Sequence, residues 1–210
     1  MSEKKLVTWI VPCFNEEDVI RQTIERITSV TSSVNDYRWE IIIVDDGSTD
    51  NTRLLIKSHI DKDSRFCLIG LSRNFGHQNA VQAGLNYSRG DAVIIIDADL
   101  QDPPEVGMKM ITLWEDGYDV VYGKRLDRAA ETFFKKASAV IFYRILNSLS
   151  EIRIPKDTGD FRLIDRKVVE ALNQLPEKGR FIRGLISWAG FNQTYITYKR
   201  EMRYAGKTKY

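Results

Sequence analysis

The run Ala92-Val93-Ile94-Ile95-Ile96, followed at once by Asp97-Ala98-Asp99, constrains this chain more than any other feature. A short, unbroken run of β-branched apolar residues predicts a strand buried on both faces, and such strands belong in parallel sheets. Two carboxylates then leave the strand at its carboxyl end, where open α/β sheets bind ligands. Hard oxygen donors at that point suit Mg²⁺ or Mn²⁺, ions that complete their shells with phosphate oxygens. The residues therefore point to metal-assisted chemistry on a nucleoside diphosphate compound. Taken alone, the motif also reads more plainly, as two solvated aspartates ahead of the Pro103-Pro104 turn.

The stretch before and around this run alternates between two periodicities. Leu6–Val11, Glu40–Val44, Phe66–Leu71, Ala92–Ile96 and Tyr118–Tyr122 are apolar and β-rich. Between them, helical spacing covers Glu16–Val34, a segment from Thr49 or Asp50 to about Ile60, Ala80–Tyr87, and Pro104–Trp114, which has proline in its first turn. Strands alternating with helices predict right-handed βαβ units and a mostly parallel sheet flanked by helices. Beyond Arg125 the pattern changes. Residues 129–149 read as one long helix with Phe133 and Phe134 on its apolar stripe. Short helices follow at Asp165–Leu175 and Arg180–Trp188, then an alternating strand at Gln193–Tyr198. No repeat, linker or low-complexity tract divides the chain, so 210 residues read as one α/β domain.

Two cysteines, Cys13 and Cys67, exclude a disulfide framework, and no Cys/His cluster suggests zinc. The default compartment is therefore reducing and cytosolic. The N-terminus shows no signal peptide, and no apolar stretch has the ~20 residues needed to span a bilayer. The net charge of +2 hides an asymmetry. Residues 1–120 carry 12 Lys+Arg against 20 Asp+Glu, and residues 121–210 carry 19 against 9, so an acidic half with net −8 joins a basic half with net +10. The basic half suits an anionic surface or a phosphorylated acceptor.

Three acidic loops recur at predicted strand ends: Asn15-Glu16-Glu17, Asp45-Asp46-Gly47-Ser48 and Asp97-Ala98-Asp99. A parallel sheet brings all three to one edge. The segments Val11-Pro12-Cys13-Phe14-Asn15-Glu16-Glu17, Val44-Asp45-Asp46-Gly47-Ser48-Thr49-Asp50 and Asp97-Ala98-Asp99-Leu100-Gln101-Asp102-Pro103 resemble the signatures of family-2 inverting glycosyltransferases with a GT-A fold. Ser72-Arg73-Asn74-Phe75-Gly76, Thr158-Gly159-Asp160-Phe161-Arg162-Leu163 and Arg203-Tyr204-Ala205-Gly206-Lys207-Thr208-Lys209-Tyr210 narrow the resemblance to polyprenyl-phosphate hexosyltransferases. These include the dolichyl-phosphate mannose synthase type and, more closely, the bacterial bactoprenol glucosyltransferases of O-antigen modification.

The resemblance implies roles for particular residues. Pro12, Asn15, Glu16, Asp45, Asp46 and Gly76 would bind the nucleotide sugar together with Asp97, Ala98 and Asp99. Asp45 or Asp46 would bond the base or ribose. Asp97, Asp99 and Gln101 would hold Mg²⁺ or Mn²⁺ against the donor diphosphate. Asp160 would stand near the anomeric carbon as the second catalytic carboxylate beside Asp99. Arg125, Arg162, Arg203 and Lys209 would clamp the acceptor phosphate. The implied donor is a UDP-sugar, with glucose as the hexose, and the implied acceptor is polyprenyl phosphate at the cytoplasmic face of a membrane. Nucleic acid is not an expected partner, and a homo-oligomer is left open. Bacterial members usually continue into transmembrane helices. This chain stops at Tyr210, which reads as a soluble portion or a peripherally docked protein, and the 129–149 helix is a candidate for the interface.

Against a phosphate acceptor stands a family-2 transferase with a saccharide acceptor, which would need a strong base. A nucleotidyltransferase would carry a lysine-containing glycine-rich loop where this chain has Asn15-Glu16-Glu17. A receiver-like signalling domain would leave Arg203–Tyr210 unexplained. His77 reads as a polar wall residue, and His59 lies on a helix with no visible partner.

Overall fold

A computed structural model describes residues 3–126, 158–176 and 181–204. Among these residues seven strands form one sheet in the order β3-β2-β1-β4-β6-β5-β7. In chain order the elements are β1 (Leu6–Cys13), α1 (Ile20–Ser32), β2 (Arg38–Asp45), α2 (Thr52–Ile60), β3 (Phe66–Gly70), α3 (His77–Tyr87), β4 (Ala92–Ile95), α4 (Pro104–Glu115), β5 (Val120–Arg125), β6 (Thr158–Asp165), α5 (Arg166–Gln174), α6 (Ile182–Trp188) and β7 (Gln193–Tyr198). Every expected strand and helix in the described residues is present, with ends displaced by a few residues. The 129–149 helix and Lys209 lie outside the described residues.

The pairing is parallel for β1 with β2 and β4, for β2 with β3, and for β5 with β7. It is antiparallel where β6 enters between β4 and β5. This strand is absent from the sequence reading, which took Thr158–Leu163 only as a motif after a loop. Its consequence is that the two halves of the chain share one sheet.

Burial follows from the composition of the strands. Val7, Trp9, Val11 and Cys13 of β1 pack with Ile41 and Ile43 of β2 against α1, α2 and α4. Ile10, Ile42 and Val44 pack on the opposite face against α3, α5 and α6. Helices thus cover both faces, which is why the central strands carry apolar residues at successive positions. At α4 the helix backbone comes close to the sheet. A β-carbon on Gly107 would lie 2.5 Å from Cη2 of the fully buried Trp9. Gly107→Ala is therefore expected to destabilise the fold by about 1–3 kcal/mol through overpacking. Urea unfolding measures this, and an unchanged midpoint would show that α4 can retreat freely.

Candidate active site

β2 and β3 lie on one side of β1 and β4 lies on the other, so the order of the sheet reverses between β1 and β4. A crevice opens at such a point, beyond the carboxyl ends of the strands. The loops after β1, β2 and β4 all end there. Because β6 runs antiparallel to β4, with Arg162 opposite Ile95, its first residues also reach this edge. Asp160 is carried there by β6, and β5 and β7 end on the same side with Arg125 and Tyr198.

The result is a cleft of about 440 Å³. Of the expected residues, Pro12, Glu16, Asp97, Ala98, Asp99, Gln101, Asp160 and Arg203 line it. His77, Gln78, Arg183 and Arg200 line it as well. His77 is thus a wall residue, as its polarity suggested, but it also bonds a site carboxylate. Nε2 of His77 lies 2.8 Å from Asp97 Oδ1, and Nδ1 lies 3.6 Å from Asp160 Oδ2. Asp160 further receives Gln78 Nε2 at 3.3 Å and faces Arg183 Nε at 3.1 Å. Burial tends to discharge both His77 and Asp97. Burial is the largest single influence on each, but their hydrogen bond and the neighbouring opposite charges together outweigh it, raising the His77 pKa and lowering that of Asp97.

Asp99 sits in a tight turn. Its Oδ1 accepts the Gln101 amide at 3.0 Å, and Leu100 between them has φ of 57°. That conformation is uncommon for leucine and costs about 1–2 kcal/mol. Strain of this kind concentrates at functional loops. The segment after β7 crosses the turn. The Glu201 amide donates to the Gln101 carbonyl at 2.9 Å, and the Glu201 and Glu105 carboxylates both receive the Arg26 guanidinium. Crossing there delivers Arg203 Nη2 to Asp99 Oδ2 at 2.7 Å and Arg200 Nε to 3.4 Å from Asp102 Oδ1. Asp102 is fully buried, accepts the Tyr198 hydroxyl, and has its pKa raised chiefly by that burial.

Four expected nucleotide residues do not line the cleft; they shape its loops. Asp45 is buried and accepts the Ser48 amide at 3.0 Å and Arg53 Nε at 2.6 Å. Asp46 is buried and accepts the Phe75 and Gly76 amides at 2.8 and 2.9 Å. Asn15, at φ of 53°, donates its backbone amide to the Ser48 hydroxyl oxygen, and its side-chain oxygen accepts the Thr49 amide. Gly76, at φ of 94°, precedes α3.

Two expected clamps are also placed differently. Arg162 is only 4% exposed and binds the carbonyls of Gly159 and Asp160 in its own strand. Burial lowers its pKa to about 10. It braces β6 and does not line the cleft. Arg125 sits 3.7 Å from Asp102 Oδ2, beside Gly159, where a β-carbon would meet its guanidinium at 2.7 Å.

A model of Glycosyl transferase family 2 matches residues 8–172. The chain belongs to this family. It is 49% identical over 201 residues to the uncharacterized glycosyltransferase YkcC of Bacillus subtilis, covering 96% of this chain and 62% of the relative. It is 38% identical over 204 residues to the bactoprenol glucosyl transferase of Shigella phage SfX, covering 97% of this chain and 67% of the relative. The chain thus spans less than two thirds of the length of YkcC. Among solved structures, a glucosyl-3-phosphoglycerate synthase from Mycobacterium tuberculosis, in complex with Mn²⁺, UDP and phosphoglyceric acid, superposes with a TM-score of 0.65. That match has 20% identity and covers 96% of this chain and 72% of the other. The mannosyltransferase PcManGT from Pyrobaculum calidifontis, in complex with GDP-Man and Mn²⁺, gives 0.64 at 20% identity, covering 93% and 56%. The GT-A-type α/β architecture implied by the sequence resemblance is borne out.

The divalent ion that the sequence resemblance implies fits these residues in kind. Two aspartates and one amide side chain, all hard donors, face the cleft, and Asp97 keeps 30% of its side chain exposed. Among the described residues no group of three His, Cys, Asp or Glu forms a metal cage. Gln78, Arg183 and Arg200 carry no local sequence signature. The signal available for His77 was its place at the start of the helix after β3, on the same edge as the acidic loops. No helix among the described residues is long and apolar enough to cross a membrane.

Proposed function

We propose that the chain catalyses inverting transfer of a hexose, glucose by preference, from its UDP-sugar to polyprenyl phosphate at the cytoplasmic face of a membrane. The observation that carries this reading is a single cleft holding both carboxylates of the Asp97-Ala98-Asp99 loop, Asp160, and arginines 183, 200 and 203. The similarity to bactoprenol glucosyl transferases across 97% of the chain supports the acceptor.

Asp97, Asp99 and Gln101 would hold the divalent ion, whose positive charge stabilises the leaving diphosphate. Arg200, and Arg203, which the sequence resemblance assigns to the acceptor but which lies 2.7 Å from Asp99, would add charge on the same side as phosphate-binding forks. An acceptor phosphate oxygen attacks the anomeric carbon. The bond from that carbon to the diphosphate oxygen breaks, and its electron pair leaves with the diphosphate. A phosphate ionised at neutral pH supplies its own nucleophile, so no strong base is required. Asp160, oriented by Arg183 and Gln78, instead steadies positive charge developing at the sugar ring. Arg183, in the same cleft and 3.1 Å from Asp160, would meet the acceptor phosphate.

Nucleotide selectivity tests the donor side. UDP with Mn²⁺ should raise the melting temperature by mass action, and UDP without the ion should raise it far less. GDP winning over UDP would overturn the donor, and an equal effect without metal would overturn the role of the aspartate loop.

A further inference from the structure

Asp97 has a protein partner that neither the family motif nor the charge pattern announces. His77 opens α3, and its imidazole lies between Asp97 on the β4 loop and Asp160 on β6. The approach to it is built. Asp46 is buried and holds the amides of Phe75 and Gly76. Gly76 turns the chain into the helix at φ of 94°, a backbone that residues with a β-carbon rarely adopt. Among the described residues no atom lies within 4 Å of a β-carbon built there, and the positive φ is what calls for glycine. The ring is held with 13% of its side chain exposed. At 2.8 Å from an ionised carboxylate oxygen, Nε2 carries the hydrogen and donates. Nδ1 sits 3.4 Å from the Gln78 amide nitrogen and 3.6 Å from Asp160.

We propose that His77 is a positioning residue: by donating Nε2–H to Asp97 it aims that carboxylate at the divalent ion and fixes its spacing from Asp160. The proposal rests on the metal-dependent reading above. One oxygen of Asp97 is occupied and the carboxylate plane is fixed, which leaves a defined direction for the ion. Groups that orient a metal-binding side chain typically govern affinity by about 10–100-fold. The chain Asp46, Gly76, His77, Asp97 also ties the loop after β2 to the loop after β4.

Substitutions separate the two ring nitrogens. Glutamine places its amide nitrogen where Nε2 stands, and asparagine places its own near Nδ1. Free Mn²⁺ is titrated by electron paramagnetic resonance in the presence of UDP, with donor KM and kcat measured alongside. His77→Ala should weaken UDP-dependent Mn²⁺ binding by about 10–100-fold with an unchanged melting temperature. His77→Gln should recover most of the loss, and His77→Asn should not. Mn²⁺ affinity in His77→Ala within about twofold of wild type would overturn the inference, given that range. So would equal losses in all three variants accompanied by a fall in melting temperature, the mark of a packing role. If the wild-type protein itself binds no Mn²⁺ with UDP, the metal-dependent reading falls and takes this inference with it. Binding by wild type and by His77→Ala alike removes the inference alone.

Discussion

Asp160→Asn is expected to bind UDP and Mn²⁺ as the wild type does and to transfer sugar about 10²–10⁴-fold more slowly, the range for losing one group placed on the reacting atoms. The substitution keeps the shape of the side chain and removes its charge. In the ground state that charge is matched by Arg183 at 3.1 Å and approached by His77 at 3.6 Å. In the transition state it also faces the developing positive charge on the sugar. An interaction made only there lowers kcat and leaves donor KM alone. Arg162 stays braced, because its hydrogen bonds go to the carbonyls of Gly159 and Asp160. A variant transferring at the wild-type rate would reduce Asp160 to a counter-ion for arginine.

The second large effect concerns Asp99→Ala. Metal-supported UDP affinity should fall about 100-fold, or about 2.8 kcal/mol at 1.4 kcal/mol per decade. Metal-free UDP binding should not fall, because Arg203 loses the carboxylate it holds at 2.7 Å and becomes available to phosphate. Opposite responses with and without the ion are a signature that general loss of structure would not produce. Titration calorimetry with UDP, in Mn²⁺ and in chelator, reads both. Equal weakening in the two conditions would mean that Asp99 supports the turn at Leu100 and not the ion.

Asp99 is legible in the sequence for a topological reason, whereas Asp160, on β6, is marked only by the family resemblance. β1, β2 and β4 are buried on both faces, so their apolar runs stand out, and the polar residues just after them mark the ligand edge. β6 hid from the same reasoning. Thr158-Gly159-Asp160-Phe161-Arg162-Leu163 places a glycine and two charged residues in an interior strand. A buried arginine there breaks the pattern expected of a core strand. It is tolerated because Arg162 satisfies carbonyls of its own strand. The same fact gives Arg162, expected as a phosphate clamp, a bracing contact within β6.

The charge asymmetry likewise reads differently in three dimensions. Arg125, Arg162, Arg183, Arg200 and Arg203 all come from the basic half and lie against Asp160, Asp99 or Asp102. Part of that excess is matched inside the protein. Asp45 and Asp46 carry the opposite lesson. A family motif marked them as ligand residues, and the fold uses their carboxylates to hold the Ser48, Phe75 and Gly76 amides that shape the pocket wall. The sequence does not show this spatial pairing, whose partners are 29 and 30 residues away for Asp46.

The central claim, hexose transfer onto a lipid phosphate, is tested most directly by incubating the protein with UDP-[¹⁴C]glucose, Mn²⁺ and a short-chain polyprenyl phosphate, then separating lipid-soluble from aqueous label. The account predicts label in the lipid fraction as a glucosyl phosphate of inverted anomeric configuration, formed only with the divalent ion and absent with the corresponding polyprenol. Label passing instead to a free saccharide, with none in the lipid phosphate, would contradict it.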